Sequence, residues 1–512
     1  MGEILSGDRR LSSEALGQRA ARAAAGLATL GIGRGDLIAI YLRNDLPFLE
    51  ASLAAGMLGA YPTPANWHYT ETEARYLFEN SGARAIVIHA DLIPGIRAAL
   101  PEGVPVLVVA TPPEIAQAYG IAAAPVPPGM IDWSSWLESF APFDQPAAEP
   151  PGTVIYTSGT TGHPKGVRRN QPTPEQAAAT ARMGAQVMGF ADWLSRPDEI
   201  VTVVTGPMYH SAPNFYGLVG ARLGATTILQ ARFDPEQLLE MIERYKVTHL
   251  HMVPIMFNRL LRLPDELKTR YDLSSLKFVV HAAAPCSVPV KRAMIEWWGP
   301  VIHEYYGATE TMAVVSCNSA EWLAHPGTVG RAIERAEVRV IDAAGNSLPA
   351  GEIGEIVARN ADFADFTYHG DDAKRAEAEK AGLIAPGDIG YLDADGFLYL
   401  CDRAKDMIIS GGANIYPAEI ESELQKMPGV ADCGVFGIPD EEFGEAVCAV
   451  VQPLPGCVLT EAEVRAYLRT QMAGYKVPKR VDFHAELPRE DSGKIFKRKL
   501  REPFWEGLDR RI

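Results

Sequence analysis

Hydrophobic and polar positions follow two different rhythms along this chain. Between residues 200 and 305, apolar runs of strand length alternate with amphipathic segments of helix length. The apolar runs are 200–205, 226–229, 248–253, 276–281 and 301–304, and the amphipathic segments are 235–245, 255–261 and 290–298. Because a strand, a helix and a second strand in succession form a parallel crossover, this rhythm predicts a sheet covered by helices on both faces.

The pattern differs toward the two ends of the chain. Residues 11–30 predict a helix and 36–42 a strand, whereas short strands with turn signals at 344–346 and 395–396 predict a small barrel or antiparallel sheet. Helix-like segments at 417–426 and 461–470 belong to a last unit. We predict an α/β fold with two domains. Residues 1–402 form a large domain of parallel-rich sheets with a small β-barrel subdomain, and residues 403–512 form a small, mobile α+β domain.

Composition narrows the class of protein. The 512 residues are 47% hydrophobic and 22% charged, as in soluble proteins with large cores. The net charge of −16 argues against nucleic acid as a partner. Any bound phosphate must therefore be held by a local group of hydrogen-bond donors and cations. The six cysteines form no CxxC pair, which argues against a zinc ribbon. With neither a signal peptide nor a transmembrane run in the sequence, we expect a cytoplasmic location.

One loop combines many hydrogen-bond donors with very little bulk. Residues 156–167 read YTSGTTGHPKGV and follow a strand-like segment. Glycines let backbone N–H groups approach phosphate oxygens, while hydroxyls and one lysine add further donors. The spacing does not match a Walker A loop. The candidate phosphate contacts are Thr157, Ser158, Gly159, Thr160, Thr161, Gly162 and Lys165.

This loop resembles the phosphate-binding signature of the acyl-adenylate-forming superfamily, which includes acyl-CoA synthetases, adenylation domains and luciferases. Further segments resemble motifs of that family in the same order, and the resemblance spans about residues 11–500. They are YGATE at 306–310, GDIGY at 387–391 with DRAKD at 402–406, SGGANIYP at 410–417 and LPREDSGK at 487–494. A family member of the acyl-CoA synthetase branch is therefore the expected identity.

The resemblance implies a role for each matching residue. Lys494, Glu310, Thr309 and His210 would be catalytic, and Glu310 would hold Mg²⁺, which prefers carboxylate oxygen. Contacts to ATP would also come from Ala284, Pro285, Tyr306, Gly307, Asp388 and Arg403. Lys405 would be the hinge of the C-terminal domain, and Gly411 and Gly412 would line the tunnel for coenzyme A.

The acid itself is less well defined. In the family, the acyl pocket is bordered by the positions occupied here by His210, Phe215, Val253, His281, Ala282, Cys286 and Gly307. These side chains are mostly small or apolar, which favours a bulky hydrophobic acid, such as a fatty, aryl-propenoic or steroid side-chain acid, over acetate. The sequence departs from the family motifs at Ala282 and Asp402, where glycine is usual.

The expected reaction is ATP-dependent formation of an acyl-adenylate and pyrophosphate, followed by transfer of the acyl group to coenzyme A. Two alternatives stay open, namely a ligase that loads a carrier protein and a catalytically silent nucleotide-binding scaffold. A homodimer is one option for the assembly. His249 and His251 share one face of a strand and could bind a metal, but packing within the sheet is the favoured interpretation.

Overall fold

The first part of the chain builds a five-stranded parallel sheet, whose strands pair in the order 61–64, 37–41, 85–89, 106–109 and 131–132. The computed structural model describes residues 2–157, 164–403, 405–489 and 495–506. The elements are β1 (Glu3–Ser6), β2 (Arg9–Ser12), α1 (Ser13–Thr29), β3 (Leu37–Tyr41), α2 (Leu46–Met57), β4 (Tyr61–Pro64), α3 (Glu71–Ser81), β5 (Ala85–His89), α4 (Ile93–Ile96), β6 (Val106–Val109), α5 (Pro113–Tyr119), β7 (Ile131–Asp132) and α6 (Trp133–Glu138).

The middle of the chain contains the predicted alternation of strands and helices. Its elements are β8 (Ile155–Thr157), β9 (Lys165–Arg169), α7 (Pro174–Val187), β10 (Val201–Val204), α8 (Ser211–Leu223), β11 (Thr226–Leu229), α9 (Pro235–Tyr245), β12 (His249–Met252), α10 (Pro254–Leu261), α11 (Asp265–Lys268), β13 (Phe278–His281), α12 (Val288–Trp298) and β14 (Ile302–Ala308). Strands β11, β10, β12, β13 and β14 pair in parallel in that order. The prediction of a parallel sheet with helical crossovers is confirmed.

Beyond β14 the pairing becomes antiparallel. The elements are β15 (Met312–Cys317), α13 (Ser319–Ala324), β16 (Gly330–Ala332), β17 (Ala336–Ile341), β18 (Gly354–Asn360), β19 (Phe366–Tyr368), α14 (Asp372–Glu377), β20 (Glu379–Lys380), β21 (Leu383–Ile384), β22 (Asp388–Leu392) and β23 (Phe397–Arg403). Most of these strands continue the ladder of the parallel strands, so a single sheet of 15 strands results. Strand β19 pairs instead with β9, in the three-stranded sheet β19-β9-β8.

The last part of the chain has a sheet and a core of its own. Its elements are β24 (Ile408–Ser410), β25 (Ala413–Ile415), α15 (Pro417–Leu424), β26 (Val430–Asp440), β27 (Gly444–Pro453), α16 (Glu461–Gln471), β28 (Arg480–Phe483) and α17 (Lys497–Trp505). The five strands pair in the order β25-β24-β27-β26, with β28 added parallel to β27. Apolar residues of α15 and α16 pack against this sheet. A small α+β unit thus follows the large α/β part, as the sequence predicts.

The parallel half of the large sheet is buried on both faces. Along β13, Val280 belongs to a core that includes Met183 of α7 and Tyr216 of α8. Its neighbour Val279 packs into a second core, with Phe257 of α10 among its members. This alternation follows from the two-residue repeat of a strand and explains why the sequence shows continuous apolar runs here.

Asn44 joins the carboxyl ends of the two parallel sheets. It follows β3, is 4% exposed, and its amide nitrogen donates to the carbonyls of Gly206 and Gln230, at 2.9 and 3.2 Å. Its side-chain oxygen accepts from the backbone N–H of Met208 at 2.8 Å. One carboxamide therefore satisfies three buried backbone groups and fixes the loop that leads into α8.

Among the helices that the structure describes, none combines the length and apolarity needed to cross a membrane.

Replacing Asn44 by alanine should destabilise this junction. Asn44→Ala leaves two buried carbonyls and one buried N–H without partners, so the free energy of unfolding should fall by about 2–4 kcal/mol. Urea unfolding followed by tryptophan fluorescence measures the change. Asn66→Ala is the control, since the Asn66 side chain accepts from His68 in a local turn. Equal losses in the two variants would contradict the role given to Asn44.

Candidate functional site

Strand β14 runs through the centre of the site. Near its end, the backbone of Gly307 lies unusually close to the carbonyl oxygen of Met312. Pairing with β15 shifts register between Tyr306 and Gly307. A Cβ atom at Gly307 would lie 1.8 Å from the carbonyl oxygen of Met312, so only glycine fits. Pairing continues past the bulge to Ala308 and Met312, and residues 309 and 310 lie in the turn that follows, where both are partly exposed.

The first polar group on β14 links three side chains from three strands. The Tyr306 hydroxyl donates to Asp388 Oδ2 at 2.6 Å, and Arg403 Nε lies 2.9 Å from Asp388 Oδ1. Burial and the neighbouring Asp388 carboxylate raise the pKa of Tyr306 well above its usual value, so its hydroxyl stays protonated. Although burial opposes its charge, the negative charge of Asp388 raises the pKa of Arg403. The structure thus brings together three of the residues predicted to contact ATP.

The second polar group holds Glu310 and includes two residues that the sequence did not reveal. Arg169 of β9 donates to the backbone carbonyls of Thr309 and Glu310 at 2.9 and 2.8 Å. The hydroxyl of Tyr368 donates to Glu310 Oε1 at 2.9 Å. Lys165 Nζ lies 5.2 Å from the centre of the Tyr368 ring. A carboxylate and a lysine therefore flank the same tyrosine, at one end of β14.

Burial lowers the pKa of Arg169 to about 10, although Glu310 and Asp365 act in the opposite direction. The guanidinium is therefore still charged at neutral pH and can orient the two carbonyls. It also donates to the carbonyl of Ala364 at 2.9 Å, so it ties three chain segments together. Arg169 positions Glu310, and the carboxylate can serve a hard cation such as Mg²⁺.

The predicted phosphate loop lies between β8 and β9. Thr157 and Lys165 are paired across this hairpin, so the two ends of the loop meet beside Tyr368. The predicted contacts Ser158, Gly159, Thr160, Thr161 and Gly162 lie outside the described residues, and so does Lys494.

The predicted acyl-pocket positions lie at the carboxyl ends of the parallel strands, but not on one face of the sheet. Ala282 and Phe215 belong to the core on the α7 and α8 side, where Phe215 packs over Gly184. Val253 and Cys286 belong to the core on the α10 and α12 side. A pocket that uses all of them must therefore lie across the strand ends, where ligands of open α/β sheets bind.

His210 lies at the same edge of the sheet. It precedes the first residue of α8 in an extended conformation, and its ring centre is 4.4 Å from that of Tyr209. In the order β10-β12-β13-β14, its loop is three strands away from the one that carries Glu310. Ala284 and Pro285 follow β13, between these two positions.

His249 and His251 are explained by packing in the sheet. His249 lies 3.0 Å from the carbonyl of Gly189, and burial lowers the pKa of both histidines to about 4. Both rings therefore stay neutral. His251 packs against Tyr216 and Tyr305, at ring distances of 5.5 and 6.2 Å. These contacts support packing within the sheet, rather than metal binding, as the role of the two histidines.

The residues predicted for the hinge and the tunnel lie in the C-terminal unit. Gly411 and Gly412 form the exposed turn between β24 and β25, with φ angles of +58° and +81°. The Phe443 ring covers Gly411 so closely that a Cβ there would lie 2.8 Å from it. Asp402 accepts from the N–H of Ala418 at 2.8 Å, which connects the segment before Lys405 to the start of α15.

Comparison with known proteins settles the family. The AMP-binding enzyme model matches residues 3–365, and the model of the AMP-binding enzyme C-terminal domain matches residues 419–494. The chain belongs to the AMP-binding enzyme family. Feruloyl-CoA synthase from Amycolatopsis sp is 33% identical over 515 residues, which cover 98% of this chain and 95% of that protein.

Two further relatives show the range of this family. A protein of Streptomyces coeruleorubidus, fatty acid–[acyl-carrier-protein] ligase ScoC, is 30% identical over 99% of this chain and 94% of its own. The crystal structure of ATP-bound MatB from Rhodopseudomonas palustris has a TM-score of 0.85 and 28% identity, and covers 99% of this chain and 97% of that one. This AMP-binding enzyme is an AMP-forming acid–thiol ligase of the acyl-CoA synthetase branch, and ATP is a substrate.

In this AMP-binding enzyme, the loss of Arg169 should impair adenylate formation. Arg169→Met frees the carbonyls of Thr309 and Glu310, and a displacement of about 1 Å in a catalytic group can cost on the order of 100-fold in rate. Acid-dependent pyrophosphate release gives kcat/KM. The adjacent Arg168 is the matched control, because it points to the Gly35 carbonyl and the Tyr61 ring instead. Arg168→Met should stay near wild type, and similar losses in both would argue against positioning by Arg169.

Proposed function

We propose that this enzyme converts a hydrophobic carboxylic acid and ATP into an acyl-adenylate and pyrophosphate, and then transfers the acyl group to coenzyme A. The observation that carries the proposal is the pair of polar groups on β14. The Asp388 carboxylate with Arg403 suits the hydroxyls of a ribose, whereas Lys165 and Glu310 suit phosphates and a cation. Strand β14 continues from Tyr306 to Ala308, about 7 Å, and Thr309 follows it directly, which fits a nucleotide lying along the end of the strand.

Attack by the acid on the α-phosphate makes AMP the leaving group in place of hydroxide. The loop 158–166 would hold the β- and γ-phosphates through backbone N–H groups, hydroxyls and Lys165. Glu310 would hold Mg²⁺, which neutralises charge on the phosphates when bound. Thr309 would contact the α-phosphate. Lys494 would bind both the acid's carboxylate and the α-phosphate, so charge in the transition state is offset.

The acid would lie across the carboxyl ends of β10, β12, β13 and β14. His210 and Phe215 would border it on one side, and Val253 and Cys286 on the other. Between them, Ala282 and Gly307 leave room for the bulk of the acid. The relatedness to feruloyl-CoA synthase supports an aryl-propenoic acid as one candidate.

Thioester formation would require the C-terminal unit, residues 403–512, to turn about Lys405. That movement would withdraw Lys494 and bring Gly411 and Gly412 to the entry of the pantetheine chain. The unit has a hydrophobic core of its own and is joined to the rest of the chain by the short connection 402–407, which supports movement as a separate body. Phe443 covers Gly411, but nothing lies within 4 Å of the Cβ position at Gly412, so the backbone there is open to a thin ligand.

A panel of acids assayed for AMP and pyrophosphate, with and without coenzyme A, tests the reaction. Hydrophobic acids should show higher kcat/KM than acetate, because each buried methylene contributes about 0.8 kcal/mol at most. AMP should form in an acid-dependent manner, and acyl-CoA should require added coenzyme A. Formation of ADP would refute adenylation. Release of acyl groups only to a carrier protein would favour the ligase that loads such a protein, and no turnover with any acid would favour a silent scaffold.

Single-turnover assays of each half-reaction test the proposed roles of the two lysines. Lys494→Ala should slow adenylate formation by on the order of 10²–10³, yet form acyl-CoA from preformed acyl-adenylate at a near-normal rate. Lys405→Pro should do the reverse, because proline fixes φ near −65° at the pivot.

Lys405→Ala is the matched control for the hinge, since it removes the charge and keeps the backbone torsion free. It should retain both half-reactions better than Lys405→Pro. Equal losses of both steps in Lys494→Ala would mean that this lysine is structural or that the C-terminal unit does not alternate.

A further inference from the structure

A completely buried histidine ends the central strand β13. His281 is 0% exposed, and its register partners are Met252 on β12 and Glu304 on β14. The edge of its ring faces Phe257 of α10, with 5.2 Å between the ring centres. It therefore lies on the α10 and α12 side of the sheet, at the edge where Glu310 and Tyr306 are also found.

Neither nitrogen of His281 has a hydrogen-bond partner among the described residues. The closest charged atom is Glu304 Oε2, 3.5 Å from Nε2, but that oxygen already accepts from Lys291 Nζ at 2.5 Å. Burial, with Lys291 nearby, lowers the pKa of His281 well below its usual value. The ring is thus neutral and offers one donor and one acceptor that are both unused. Burying such a group without a partner is costly, so a bound ligand that supplies one gains affinity.

The chain directly after His281 is open and lacks bulk. Ala282 is buried, Ala283 is exposed with a φ angle of +73°, and Cys286 is partly exposed. Glycine-like backbone geometry at an alanine marks a site where the chain is held in a strained turn. Since ligands of parallel sheets bind beyond the carboxyl ends of the strands, the acid of the proposed function would lie above this turn, next to His281.

We propose that His281 determines specificity by binding a neutral oxygen, a hydroxyl or a ketone, on the hydrophobic part of the acid. This inference rests on the proposed function and adds the substrate feature that the apolar positions leave open. A hydroxyl can both donate to and accept from the imidazole, and a ketone accepts from its N–H. Charged groups are disfavoured, because Glu304 and Lys291 already form a pair there and would repel an anion or a cation respectively.

Matched pairs of acids test this assignment. The first pair is 4-hydroxycinnamate and cinnamate, and the second is 4-acetylcinnamate and 4-isopropylcinnamate. Pyrophosphate release gives kcat/KM for each acid. The ratio within a pair does not change if a substitution lowers activity toward both acids equally. Wild type should favour the oxygenated member by about 10–100-fold in at least one pair, the range for one buried hydrogen bond. A preference in the first pair would indicate that His281 binds a hydroxyl, and a preference in the second pair would indicate a ketone.

His281→Leu should abolish the preference by reducing kcat/KM for the oxygenated acid, while the apolar partner is used as well as before or better. His281→Asn keeps a donor and an acceptor, so it should retain part of the preference. His303→Phe is the control, since it removes a histidine that stacks on Phe278 one residue away from Glu304. That variant should keep the wild-type ratio.

Thermal unfolding of the ligand-free enzyme gives a readout that does not depend on activity. Because leucine replaces an unsatisfied polar ring, His281→Leu should melt at the same temperature as wild type or higher. The inference is overturned if wild type turns over both members of each pair equally, or if His281→Leu keeps the preference. Those outcomes differ from failure of the proposed function, in which wild type would release no pyrophosphate with any acid.

Discussion

The close contact between Gly307 and the carbonyl of Met312 determines the geometry of the whole site. It sits where the large sheet changes from parallel to antiparallel, and it forces a shift of register between Tyr306 and Gly307. Tyr306 thereby stays in the ladder and reaches Asp388, while Glu310 leaves it and reaches Tyr368. A side chain at position 307 would push β15 away and separate the two polar groups.

The site also reconciles an acidic protein with a polyanionic substrate. The net charge of −16 repels ATP at long range, so attraction must come from cations fixed within hydrogen-bond distance. In the proposed function, Arg403 and Lys165 would supply such charges near the carboxyl end of β14. Arg169 contributes differently. Its guanidinium donates to the backbone carbonyls of Thr309 and Glu310 and thereby orients Glu310. Placement therefore matters more than the number of basic residues.

Sequence reasoning succeeded where the signal was local. The apolar runs predicted the parallel strands to within about two residues, because a strand buried on both faces has to be apolar throughout. The exception is β14, which was predicted to end at 304 and continues to Ala308. The motif at 306–310 is likewise contiguous in the chain, and its Tyr306 and Glu310 take part in the two polar groups. Arg169 and Tyr368 escaped notice, since they meet Glu310 through the pairing of β9 with β19, about 200 residues apart in the chain. The continuation of the ladder past β14 was equally hidden, because a bulge sets that register.

The placement of β1 delays the completion of the large sheet during synthesis. Residues 3–6 pair in parallel with 226–229, and the N–H of Gly2 donates to the carbonyl of Gly224. At about 5–20 residues per second, a ribosome needs roughly 10–45 s to make the intervening chain. For that interval the first strands are exposed to solvent and to other nascent chains, although the five-stranded sheet behind them can already fold. The edge of β1 that faces β11 therefore stays unpaired for that whole interval, although its other edge can already pair with β2.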